Sequence, residues 1–185
     1  MGFPLDSAKY LRYHAMKMRE FATGDFSRLG AYGRKQKSAE VRGISAMATA
    51  AIVPMPIPFA DIWTITPLQM LMVIAIGNIH GFKLSKNTVK EVFAVVGGGW
   101  LGKQLCLALF KIGLPGVGGF GGAAFAYCWT HAMGRTAEAY FQSGMKASRD
   151  QMRTMMKEEM KKDTDAVPLP YAEEPTPANL CRYQD

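Results

Sequence analysis

The chain has 185 residues, 49% of them hydrophobic, with a net charge of +7 and three cysteines. That length suits one domain of moderate size with tails, and the apolar share is enough for a substantial core. Cys106, Cys128 and Cys181 form no CxxC pair, which excludes a disulfide-dense secreted scaffold and favours a reducing compartment.

Charge divides the chain into three zones. Between Ala46 and Met133 only Asp61, Lys83, Lys86, Lys90, Glu91, Lys103 and Lys111 are charged. Residues 1–45 carry a balance of +5 and the last 52 residues a balance of −1. A basic flank beside an apolar block points to an anionic membrane surface. No recognised nucleic-acid motif accompanies the charge, so no nucleic-acid partner is expected. Residues 1–20 are too charged for a signal peptide. The cytoplasmic face of a membrane is therefore the expected location (the inner membrane, were the source bacterial), with the cytoplasm as the alternative.

Asp6 or Ser7 can cap a first helix that runs to about Ala22 and stops at Thr23-Gly24-Asp25. Leu11, Ala15, Met18 and Ala22 share one face, while Lys9, Arg12, Lys17 and Arg19 populate the rest. Such a helix can lie on a membrane or a partner, or be an ordinary surface helix. A second helix is predicted from about Arg34 to Ile52. Pro54, Pro56 and Pro58 then form a rigid elbow with Asp61, which is expected to cap the helix entering at Ile62, a lysine partner or a buried functional carboxylate being the alternatives.

The third helix is expected over Thr66–Gly81, with Thr66 as N-cap and Pro67 in the first turn. It is apolar almost all round, so it is buried in protein or lipid. A fourth helix is expected from about Ser85–Asn87 to Ile112. After Leu114-Pro115-Gly116 an apolar stretch runs from Val117 to Met133, and a last helix is expected over Gly134–Lys162. Phe141, Met145, Ser148, Met152, Met155 and Met156 form one face of that helix, a core stripe or an adaptable partner surface. From Asp163 the Pro-rich tail reads as disordered or extended. No convincing strand pattern occurs. The fold class is thus all-α: apolar helical hairpins with a glycine-rich helix-turn-helix, flanked by amphipathic helices.

Gly116-Val117-Gly118-Gly119-Phe120-Gly121 matches GxGxxG, but no strand precedes it. Glu138 lies at the spacing of the ribose-binding acid, yet within a helix. Packing explains these glycines better. Ala94, Gly98 and Gly102 recur every four residues, as do Gly118, Gly122 and Ala126, and such small-residue faces let helices approach closely. They could pair as a hairpin or build a homo-oligomer. His14, His80 and His131 lack metal-ligand spacing and read as helix-end or surface residues. No nucleophile elbow is present. No cofactor, metal or catalytic residue is expected.

Pro56-Ile57-Pro58-Phe59-Ala60-Asp61, Thr66-Pro67-Leu68-Gln69-Met70 and Ile74-Ala75 together resemble the start of the DUF697 domain. So do Val89-Lys90-Glu91-Val92, Gly97-Gly98-Gly99, Leu114-Pro115-Gly116-Val117-Gly118, Ala132-Met133-Gly134-Arg135 and Ala139-Tyr140-Phe141. The resemblance covers about residues 43–144. That family is similar to the C-terminal part of some bacterial GTPase-like proteins and to YcjF-type inner-membrane proteins. It implies a helical membrane-associated module near a GTPase, although this chain has no GTPase domain of its own.

Four segments follow: a basic helical flank (1–42), the apolar helical domain (43–144), a Met-rich helix (145–162) and a tail (163–185). The expected function is a non-enzymatic, membrane-associated adaptor or scaffold. Its partners are membrane lipids and a protein, either a GTPase or the chain itself. The alternatives are a soluble helical subunit of a larger complex and a membrane-inserting or pore-forming protein.

Overall fold

The computed structural model describes residues 6–52, 60–84, 87–90, 92 and 118–166. The fold is all-α, with no strand among the described residues. Helix α1 spans Asp6–Thr23, α2 Ala31–Ile52, α3 Ala60–Ile79, α4 Gly118–Gln142 and α5 Arg149–Ala166. Helix α2 packs chiefly on α4, α1 on α3, and α5 on α4.

Helix α1 buries a face rotated from the expected one but still centred on Met18. His14, Met18 and Phe21 are buried, whereas Ala15 is exposed and Ala22 half-buried. Burying a Met or Phe side chain stabilises by about 1.5–3 kcal/mol, far more than an alanine gives, so the larger side chains set the rotation. The helix stops where expected: the Gly24 amide donates to the Glu20 carbonyl at 2.7 Å. The Asn78 side-chain amide then donates to the carbonyls of Phe21 and Gly24 at 3.0 and 2.8 Å. A residue of α3 thereby satisfies acceptors that the end of α1 leaves open.

Helix α3 begins at Ala60, earlier than the proline rule suggests. Pro67 is therefore its eighth residue and interrupts the helix interior, and Thr66 is not an N-cap. An interior proline costs about 3 kcal/mol. Ile65, Met72, Val73, Ala75, Ile76 and Ile79 are buried on the same helix and offset that cost many times over. Asp61 consequently falls in the first turn of α3 and not on an elbow before it. Pro54, Pro56 and Pro58 lie outside the described residues. Gly81 ends the helix as expected, at φ 87°. The Phe82 and Gly81 amides donate back to the Gly77 and Asn78 carbonyls at 2.8 and 3.0 Å, a Schellman motif.

The expected helix over Gly134–Lys162 is two helices. Helix α4 runs unbroken through Met133-Gly134 and ends in a second Schellman motif: the Met145 amide donates to Tyr140 at 2.9 Å and the Gly144 amide to Phe141 at 3.0 Å. Gly144 and Met145 both take positive φ, 69° and 64°. Ser148 then restarts the chain as α5. Its hydroxyl accepts from the Gln151 amide at 3.2 Å, and the Gln151 side chain accepts from the Ser148 amide at 2.8 Å. This reciprocal capping box sets where α5 begins.

Residues 87–90 and 92 are helical, with Val89 and Val92 buried. The rest of the expected fourth helix, including Ala94, Gly98 and Gly102, lies outside the described residues. Gly118 and Gly122 belong to α4, and Ala126 is buried in it. A further set of small buried residues lies on α2. Ser38, Ser45, Ala48 and Thr49 are buried there, where Ser45 meets Met18 of α1 and Ser38 meets His80. Among the described residues no helix is long and apolar enough to cross a membrane.

Candidate functional site

Helices α2 and α4 cross at a buried polar knot. The Arg42 guanidinium donates through Nη1 to Oε2 of Glu138, and each residue is 6% exposed. A pair of buried ions costs several kcal/mol in lost hydration per ion, recovered only through close mutual contact. The geometry supplies that contact. Gly134, one turn before Glu138, leaves room for the Arg42 stem: an added Cβ would lie 2.5 Å from Cγ and 2.8 Å from Cδ. Gln142 donates to Oε1 of Glu138 at 3.3 Å. Arg42 Nε is buried without a hydrogen-bond partner.

His80, just past α3, joins the knot. Its Nε2 lies 3.2 Å from the Ser38 hydroxyl and 3.9 Å from Oε1 of Glu138. Burial holds the His80 pKa below its ordinary value, and the charges of Arg34 and Arg42 depress it further. Glu138 does not reverse this, because Arg42 engages its charge. A serine, a histidine and a glutamate in sequence invite comparison with a catalytic triad, but the geometry differs. In a triad the nucleophile and the orienting acid use opposite ring nitrogens. Here Ser38 and Glu138 both approach Nε2, and Ser38 is fully buried.

The knot opens onto a cleft of about 740 Å³. Leu29, Phe82 and Phe141 form its apolar wall, with the two phenyl rings 5.6 Å apart. Arg34, Lys35 and His80 supply its polar side, and Tyr32 stands at the rim, 81% exposed. No carboxylate lines it among the described residues. Arg34 is pinned by a bond from Nε to the Leu29 carbonyl at 3.0 Å.

A second polar group fastens α5 to α4. His131 Nδ1 lies 2.8 Å from Oδ2 of Asp163, and Arg135 pairs with Glu159 at 3.0 Å. The His131 ring stacks on Tyr127. Cys128 lies nearby but is buried, and burial together with Asp163 pushes its thiol up to about 11. It therefore stays a thiol at neutral pH, the unreactive form. Among the described residues no three His, Cys, Asp or Glu side chains gather as metal ligands.

The residues expected to meet a membrane or partner have varied fates. Arg19 is exposed, and Lys17 pairs with Glu20 at 3.0 Å. Lys9 and Arg12 lie on α1, but their side chains fall outside the described residues. Met152 and Met156 are not free for a partner: both are buried in the chain's own core, where the Thr136 hydroxyl meets the Met156 sulfur at 3.8 Å. Met155 is half-buried. His80 stands at a helix end as expected, just past α3, but its side chain packs inward, and His14 departs from the expectation by being buried within α1.

The comparisons with known proteins add nothing to this geometry: no family model, no curated protein and no solved structure matches the chain. The polar knot itself had a faint trace in the sequence. Arg42 is the last charge before the uncharged run 43–60, and Glu138 stands between Ala137 and Ala139. A single charge in a run of small or apolar residues needs a partner when that run is buried.

Proposed function

We propose that this chain is a non-enzymatic helical adaptor that docks on an anionic membrane surface through α1 and α2. One observation carries the reading. The exposed large hydrophobics among the described residues, Met16, Tyr32 and Met47, all lie on these two helices, which also carry the basic flank. Met16 precedes the exposed Arg19 by three residues, and Tyr32 precedes the exposed Lys35 by three, so apolar and basic side chains neighbour each other along each helix. Insertion of the apolar groups at the headgroup level, with the cations on lipid phosphates, is the recognised chemistry of interfacial helices. The core beneath is a rigid base, and the Ser38–His80–Glu138 arrangement supports a structural role over a catalytic one.

The protein partner is a GTPase or a second copy of the chain, a reading that rests on the sequence resemblance alone. Sedimentation with vesicles tests the membrane reading. The full chain should pellet with vesicles containing phosphatidylserine, less so at high salt, and Met16→Asp should weaken the binding. A chain that stays in the supernatant with anionic and neutral vesicles alike overturns it. Co-purification should return a stoichiometric GTPase or self-complex.

A further inference from the structure

The cleft beside His80 combines features that the adaptor reading leaves unused. Its volume, about 740 Å³, lies within the range of small-ligand sites. Its lining brings together three nitrogen bases and a pair of phenylalanine rings, with no carboxylate among the described residues. Arg34 and Lys35 make no ion pair among the described residues, whereas Lys37, two positions on, is held by Glu40 at 2.8 Å. The Arg34 guanidinium is fixed through Nε to Leu29, which leaves its terminal nitrogens as oriented donors. The same end of the cleft receives the start of α2. Ala31 lines it, Gly30 before it has no capping side chain, and α2 has no acidic residue in its first turn. The basic side chains of the cleft therefore have no acidic partner in its lining, most of which is apolar.

We propose that this cleft binds a phosphomonoester carried on an apolar or aromatic body. Arg34 and Lys35 hold the phosphate oxygens beside the start of α2, and Leu29 and Phe82 pack on the body, with the buried Phe141 ring behind Phe82. A phosphate offers three acceptor oxygens to a guanidinium fork, an ammonium and backbone amides, a fuller match than the two oxygens of a carboxylate. The group can belong to a free metabolite or to a lipid headgroup, and the two sources share this chemistry. The cleft shares Tyr32 and Lys35 of α2 with the membrane reading but not Met16, Met47 or α1, so the soluble phenyl phosphate arm and the half-buried Arg34 separate the two.

Titration calorimetry of the full chain with phenyl phosphate and with inorganic phosphate tests it. Flotation with phosphatidic-acid vesicles, against phosphatidylserine vesicles, gives the lipid arm. Phenyl phosphate should bind saturably and more tightly than inorganic phosphate. Arg34→Gln should weaken it by about tenfold, the loss of one charge-assisted hydrogen bond. Lys37→Gln should leave it unchanged. Lys35→Gln, at an exposed position, serves as the second variant should Arg34→Gln fail to fold, and should also weaken binding. Binding only to phosphatidic-acid vesicles, with the same dependence on Arg34 or Lys35, supports the site and assigns the phosphate to a lipid. Equal binding of phenyl and inorganic phosphate, binding indifferent to both cleft variants, or no binding in either arm overturns the proposal. Binding to phosphatidylserine vesicles without any of these effects leaves the membrane reading standing and the cleft proposal overturned.

Discussion

Arg42 and Glu138 lie 96 residues apart in sequence and form a buried ion pair where α2 crosses α4. Removing one partner leaves the other charge buried and alone. Glu138→Leu or Arg42→Met should each destabilise the fold by about 3–5 kcal/mol. The double variant Arg42→Met with Glu138→Leu should recover most of that loss, because neither charge remains to be desolvated. Urea unfolding of the three variants measures this. Additive losses in the double variant would mean that the pair is not coupled.

Gly134→Ala opposes two effects. Alanine is favoured over glycine within a helix by about 1 kcal/mol. At this position, however, the new Cβ would meet Arg42 Cγ at 2.5 Å, Cδ at 2.8 Å and the Met72 sulfur at 3.2 Å. The stem of Arg42 is anchored at its far end by Glu138 and cannot swing clear. Overpacking of this kind costs about 1–3 kcal/mol, so the net change should be destabilising. A rise in thermal midpoint for Gly134→Ala would show that Arg42 has room to move.

Acid should weaken the fold before any carboxylate titrates. Burial lowers the pKa of both His14 and His80 from the model-compound value of 6.5. Below pH 6.5 the unfolded chain therefore binds protons that the folded chain resists, and stability falls as pH falls through that window. Thermal midpoints measured from pH 7.5 downwards should decline below about 6.5, the ordinary histidine value. His80→Gln should flatten part of the decline. A midpoint constant across this window in the native chain would refute the linkage.

Ser148→Ala removes the hydroxyl that caps α5 and leaves the Gln151 amide without its side-chain partner. The expected loss is about 1 kcal/mol. Because Met152 and Met156 stand in the core, the first turn of α5 should not detach freely. Amide exchange should quicken in residues 149–152 while α2 and α3 keep their protection. Uniform quickening across the bundle would instead mean that α5 opens only with the whole fold.

The all-α class was readable from periodicity and composition, because helical spacing and proline and glycine stops act locally. Thr23-Gly24-Asp25 and Gly81 end helices where their backbone chemistry says they should. The Ser148–Gln151 capping box is just as local a signal, and it divides the last helix despite the continuous methionine stripe. Tertiary packing decided the rest. Pro67 sits inside α3 because the burial around it outweighs a local penalty. The rotation of α1 follows Met18 and Phe21, whose value depends on what α3 offers them. The ion pair of Arg42 with Glu138, and the approach of His80 to it, join three helices at distant sequence positions. No local rule links those residues; only the crossing of α2 and α4 at Gly134 brings the charges to one buried point, where each makes the other tolerable.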